Sequence, residues 1–383
     1  MRVYLDHNAG APLRASVREA MLPFLGPAAN PSSAHREGAR ARAAVEMARA
    51  EVAALIGAVP AEIVFTSGAT EANNLALRGA LPATSQGMRG GVVTMAIEHA
   101  SVLETVRALA DDGTPLAIVP VDAEGRIDAA QVLDACGADT ALATIGLANG
   151  EVGSVAPVAE VAAALRRRGV LVHTDAAQAA GRLPLDVRAL GVDLLSLSAH
   201  KLGGPAGVGA LWVRAGVRLR PQLCGGPQER GRRAGTENVA GIVGFGAAAR
   251  CARTERAAAA SAMERLTERL WQGLCARVDG VSRNGPTGEP RLPNTLNVSF
   301  VGCAGESLLL LLDLAGIAVS LGSACAAGAA EPSHVLEAMG RDRERARHGV
   351  RFSLGPETTA TEIDAVLAVL PGLVTQVRAG AAA

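Results

Sequence analysis

The chain has 383 residues, enough for two or three domains of roughly 150 residues each and for a large buried core. Hydrophobic residues make up 49% and charged residues 19%, while 37 Lys plus Arg balance 37 Asp plus Glu; this excludes a disordered chain and a strong basic field for nucleic acid or an anionic membrane. Aromatic residues are only 2%, too few for base-stacking surfaces.

Taken in chain order, the N-terminus carries Asp6, His7 and Asn8 and no apolar signal core. Residues 40–55 contain few helix breakers and read as a helix. From 62 to 213, short β-rich runs at 63–66, 92–96, 115–119, 141–147, 170–174, 194–198 and 208–213 alternate with helical stretches such as 101–110 and 158–168. Strands separated by helices predict an α/β fold with a mostly parallel, seven-stranded sheet covered on both faces. Residues 236–277 read as one or two bridging helices. Beyond 293 the texture changes to a smaller α+β unit, with strands at 295–300 and 317–320 and helices at 306–314, 333–339 and 361–369. Its greasiest run, Leu308 to Leu312, is stopped by Asp313, far short of the ~20 residues of a membrane span, so a cytoplasmic location is expected.

One count stands out. Lys201 is the single lysine, against 36 arginines. Arginine serves wherever a cation suffices, but its guanidinium stays protonated, whereas an amine can lose its proton and attack a carbonyl. Lys201 follows a predicted strand, where parallel sheets bind ligands, and precedes Gly203 and Gly204, so it reads as a Schiff-base lysine. Asp175 ends another strand and suits the acidic partner of a pyridine nitrogen, although an aspartate there is also an ordinary helix cap; Gln178 lies one turn on. Ser67-Gly-Ala-Thr-Glu opens a helix and forms a candidate phosphate cradle. The six cysteines (136, 224, 251, 275, 303 and 325) show no CxxC pair and no zinc spacing, so no metal site is expected and most should be buried and reduced. Cys325 differs, because it sits in a run of small residues, Ser320-Leu-Gly-Ser-Ala-Cys-Ala-Ala-Gly.

Together with Asn30-Pro-Ser-Ser, Glu98-His99, Arg230-Gly-Arg-Arg-Ala-Gly-Thr-Glu-Asn and Gly322-Ser-Ala-Cys325, these residues resemble the NifS-like cysteine desulfurases of the iron–sulfur assembly type, within aminotransferase class V. The resemblance implies a fold-type-I pyridoxal 5'-phosphate transferase that converts L-cysteine to L-alanine and leaves a persulfide on Cys325. It implies a large cofactor-binding domain over 15–255 and a small domain from 1–14 and 256–383 that carries the cysteine loop at about 320–332. Lys201 then holds the cofactor, His99 stacks on its ring and relays protons, Asp175 and Gln178 contact the ring nitrogen and hydroxyl, and Ala69, Thr70, Ser198 and His200 contact the phosphate. Thr236 reaches the phosphate of a second subunit, implying a homodimer with composite sites, and Arg351 pairs with the substrate carboxylate. The implied partners are L-cysteine and a sulfur-acceptor protein, an iron–sulfur scaffold or a sulfur carrier. His99 has an alternative reading as a helix cap. The family's second asparagine is Gly150 here, and the resemblance leaves Asn149 as the implied cofactor and substrate contact. Rival readings are a selenocysteine lyase or β-lyase on the same fold, and more distantly a non-catalytic scaffold.

Overall fold

Seven short runs rich in Val, Leu, Ile and Ala build one sheet; most are buried on both faces and so lack polar alternation, while the edge run Leu116–Val119 is only partly buried. The computed structural model describes residues 2–28, 30–81, 83–84, 87–88, 90–321 and 332–381. Across the sheet the order is Ile63–Thr66, Gly209–Val213, Leu194–Ser198, Leu171–Asp175, Thr140–Thr144, Gly91–Met95 and Leu116–Val119. Gly209–Val213 runs antiparallel to both of its neighbours, and the other pairs are parallel. Reversal twice over returns Ile63–Thr66 to the direction of Leu194–Ser198. The carboxyl ends of 63–66, 91–95, 140–144, 171–175 and 194–198 therefore share one edge. That edge gathers the segments leading to Thr70, His99, Asn149, Asp175 and Lys201.

A second core forms around the antiparallel strands Val281–Asn284, Thr295–Phe300 and Gly349–Ser353. The N-terminus joins it: Val3–Tyr4 pairs in parallel with Ile317–Ala318, and Asp6 bridges to Ser353. Of these strands, the sequence reads 295–300 with its observed bounds and 317–318 within a longer run, 317–320. Gly349–Ser353 is wholly buried, and the polar Arg351 at its centre hides its strand character.

The stretch after 236 is one helix, Val239–Arg277, of 39 residues, roughly 58 Å long. Phe245 to Ala249 belong to the first core and Met263 to Leu274 to the second, so the two are joined by continuous helix rather than by a linker. The last helix, Ala360–Ala381, is also longer than its sequence reading. It is long and apolar enough to cross a membrane, yet Ile363, Val366, Leu367, Leu370 and Val374 line up at helical spacing and are buried in the second core. Among the five described cysteines only Cys136 and Cys303 are buried, against the expectation that most would be, because the others lie on outward helix faces or in an exposed loop.

Candidate active site

The strand Leu194–Ser198 runs directly into a 3-10 turn, Ala199–Lys201, which carries the only lysine at the strand's carboxyl end. The Lys201 amine donates to the backbone oxygens of Asn8 and, at 3.0 Å, of Ala9. Burial, assisted by the Arg182 and Arg351 guanidiniums, lowers its pKa to about 8, with Asp175 and Asp6 pulling the other way. Such an amine gives up a proton at neutral pH far more readily than a surface lysine does.

A chain of hydrogen bonds then runs along the edge. Asn73 Nδ2 donates to Asp175 Oδ2 at 2.7 Å and to Ser101 Oγ at 2.8 Å. Ser101 Oγ lies 2.8 Å from His99 Nδ1, which also accepts from the Ser101 backbone N–H at 3.1 Å. An N–H can only donate, so Nδ1 is the bare nitrogen and the neutral ring carries its hydrogen on Nε2. His99 is thus the cap of helix Ala100–Asp111, with Nε2 outside the capping bonds. Desolvation lowers its pKa, with Asp175 opposing and Lys201 and His334 reinforcing the shift. Asp175 similarly receives the Ala177 N–H at 2.9 Å while its other oxygen is held by Asn73. Both readings weighed for His99 and Asp175, cap and site residue, are compatible in one geometry.

The helix Ala69–Ala80 begins at Gly68 with no side-chain cap, and Thr70 is exposed. Its first N–H groups therefore remain for an anion. Glu71 does not oppose one: it is held by Arg233 at 2.8 Å and accepts the Ser67 N–H at 2.7 Å, and these bonds keep its pKa low despite burial. Ser198 Oγ lies 2.9 Å from His200 Nδ1, and burial followed by the charge of Lys201 lowers the His200 pKa to about 4, so this ring is neutral.

Asn149 is engaged differently from its expected role. Its oxygen accepts the N–H groups of Glu151 and Val152, and its Nδ2 donates to Ile97 O at 2.9 Å. The side chain shapes a turn. Gln178 fills the room left by Gly150: a Cβ there would lie 2.6 Å from Gln178 Nε2. That nitrogen donates to Asn8 O at 3.0 Å. Arg351 is buried, with Nη2 at 2.7 Å from Asp6 Oδ1 and Nη1 at 3.2 Å from Gly150 O. Thr236 is exposed just before the long helix and forms no hydrogen bond with the Lys201 cluster among the described residues. Cys325 lies outside the described residues.

Several residues that support the site have no role assigned from the sequence. Asp6, Asn8 and Ala9 meet Lys201 and Arg351 from the far end of the chain, and Asn8 is itself held by Thr295 and Asn294. Glu98 is buried with a pKa pushed up to about 8 by desolvation, its carboxyl accepting from the Gly146 N–H. Glu151, likewise raised by burial to about 7, receives the Ser333 hydroxyl. Glu229 sits at a φ of 47°, a conformation that disfavours side chains. It is held there by a buried bidentate pair with Arg49 at 2.8 Å and by the Phe65 N–H. In the sequence, only the Asp6-His7-Asn8 run and the Glu98-His99 pair touch any of these.

A lone amine of lowered pKa, a held carboxylate and an uncapped helix start on one sheet edge fit pyridoxal phosphate, which needs an amine, an acid at the ring nitrogen and an anion cradle. The aminotransferase class-V family profile matches residues 3–366, and the chain belongs to that family of pyridoxal-phosphate enzymes. Among its relatives, a protein of Gluconacetobacter diazotrophicus named cysteine desulfurase is 46% identical over 378 residues, spanning 98% of this chain and 94% of that protein. Another of Dictyoglomus turgidum, named cysteine desulfurase IscS, is 43% identical over 98% of this chain and 95% of its own. A solved structure titled NifS-like protein superposes with a TM-score of 0.91 at 39% identity, covering 98% of this chain and all of that one.

Proposed function

We propose that the chain is an L-cysteine desulfurase that leaves the sulfur as a persulfide on Cys325 and releases L-alanine. The observation that carries the reading is the convergence of the sole lysine with the Asp175–Asn73–Ser101–His99 chain. Pyridoxal phosphate, when bound, supplies a carbonyl carbon for the substrate amine and a ring that draws electrons from Cα. Lys201 and Asp175 hold it at the aldehyde and the ring nitrogen, Gln178 at the ring hydroxyl, and Ala69, Thr70, Ser198 and His200 at the phosphate.

The Lys201 amine takes the proton from substrate Cα. Asn8 O and Ala9 O steady the resulting ammonium, while Arg182 and Arg351 keep it ready to release that proton again. His99, neutral and with its hydrogen on Nε2, acts as a donor toward the cleft. Arg351 binds the substrate carboxylate and must share its guanidinium with Asp6 to do so. The Cys325 thiolate attacks the substrate sulfur: the S–S bond forms, the Cβ–S bond breaks, and its electron pair stays with the carbon fragment. That fragment leaves as L-alanine after taking up protons at Cβ and Cα.

The working unit is a homodimer in which Thr236 completes the partner's phosphate site; its exposure, and its lack of a hydrogen bond to its own Lys201 cluster among the described residues, support this. The acceptor is a protein of iron–sulfur or sulfur-carrier type, and the location is cytoplasmic. The test is Cys325→Ala. This variant should load cofactor and bind L-cysteine, shown by its absorption spectrum, yet form no protein persulfide by peptide mass. Undiminished persulfide in the variant would assign the transfer to another thiol and overturn the reading.

A further inference from the structure

Lys201 also lines a cavity of about 310 Å3 between the two cores, whose lining includes neither His99 nor Thr70. Its size is at the low end for small-molecule sites. The walls are the segment from His7 to Ala15, the turn after Lys201, the middle of the long helix and the loop from Leu354 to Glu357. Leu13, Leu202, Met263 and Leu354 make much of the lining apolar.

The charged lining is not balanced. Arg14 is paired with Glu255, Glu357 is exposed, and Arg256 lines the cavity from a half-buried position. Arg182 is 6% exposed and forms no ion pair among the described residues. Its Nη1 donates to the Gln178 backbone oxygen at 2.8 Å and to Gln178 Oε1 at 3.1 Å, and its Nη2 reaches His7 O only at 3.5 Å. The charge that acts on it is another cation, Arg351, which disfavours its charged form as burial does. A buried guanidinium held only by neutral oxygens beside a cavity is an incomplete arrangement, because buried charges are stable when paired. His7, whose pKa burial lowers to about 4, adds no charge of its own.

We infer that this cavity is a second small-molecule site, taking a small carboxylate with a compact apolar body, its carboxylate on Arg182 and its body among Leu13, Leu202, Met263 and Leu354. An anion there would offset one of the two arginines that face Lys201 and so couple the cavity to the lysine; that consequence, unlike the binding, rests on Lys201 being the cofactor lysine.

The experiment titrates the cofactor-loaded protein with carboxyl-labelled propionate, followed by carbon NMR. Saturable binding is expected, with propionamide a poor competitor. Arg182→Gln and Ala259→Phe, which fills the cavity from the long helix and leaves Arg182 in place, should each weaken binding at least tenfold, as expected for loss of a charge-assisted contact. Arg351→Gln should leave it intact. Absence of saturable binding to the wild type, or binding that survives Ala259→Phe but is lost in Arg351→Gln, would place no carboxylate in this cavity and overturn the inference. Failure of the cofactor reading would appear separately, as a missing cofactor absorption band.

Discussion

His173 lies inside the seven-stranded sheet and His99 just beyond one of its strand ends, and both belong to chains of hydroxyl hydrogen bonds. His173 is fully buried, with Nδ1 at 2.8 Å from Thr144 Oγ1 and Nε2 at 2.9 Å from Ser196 Oγ, so it staples three adjacent strands. Burial drives its pKa down to about 4. His99 has the same kind of bond on Nδ1, but its Nε2 makes no hydrogen bond among the described residues and the ring is exposed to the cleft. Residue type and network chemistry are shared; what differs is whether the second nitrogen is engaged. A closed network stabilises, and an open one is available for proton transfer.

The comparison assigns chemistry to the edge and stability to the interior, and substitutions can break it. The largest effect belongs to Lys201→Arg at the edge. A guanidinium keeps the charge but cannot bond to an aldehyde, so turnover should fall roughly a thousandfold or more. The cofactor absorption band should vanish, and borohydride treatment of the wild type should label a single peptide. A second labelled peptide would refute the assignment.

His173→Ala should behave in the opposite way, leaving KM for cysteine near the wild-type value while costing about 2–4 kcal/mol of stability by denaturant unfolding. Its pH dependence has a definite sign. The folded pKa lies below the ordinary histidine value, so wild-type stability due to His173 is present above about 6.5 and is lost as pH falls toward about 4. The variant's deficit should therefore shrink over that window. His7 and His200 are lowered in the same direction, so the wild-type slope should be reduced rather than removed.

Asn73→Ala cuts the link between Asp175 and Ser101. Loss of one bond to a charged partner, typically ~1.5 kcal/mol, should weaken cofactor binding about tenfold and relax the orientation of His99. Dialysis against limiting cofactor would measure it; unchanged affinity would mean that Asp175 needs no support. The smallest effect is expected at Gly150→Ala. The new Cβ falls 2.6 Å from Gln178 Nε2, a side chain able to move at the loss of its bond to Asn8 O. Cofactor affinity should fall roughly two- to fivefold, corresponding to ~0.5–1 kcal/mol. A gain instead would show that Gln178 is better placed when pushed aside.

Much of the edge was legible because its signals are local. Strands 63–66 and 194–198 coincide with their sequence readings, since runs of buried residues bounded by breakers need no distant partner to be recognised. Lys201 declared itself by being alone, and the uncapped start at Gly68 by its small residues. Harder to read were the supports. Asn73 looks like any helix residue until Asp175, 102 positions away, accepts its hydrogen bond. Arg182 is one arginine among many until burial removes its counter-ions.

The chain order of β-rich and helical runs, the single amine and the acid at a strand end are properties of the sequence by itself, and with them came the fold class and the type of cofactor. Which nitrogen of His99 carries the hydrogen, which carbonyls steady Lys201 and what fills the space at Gly150 were decided only by tertiary structure. Asn8 O and Lys201 Nζ are 193 positions apart, and Asp6 and Arg351 are 345 apart. Contacts across such separations impose no periodicity on the residues between them. They exist because two cores close on a common edge and bring those groups within reach of one another.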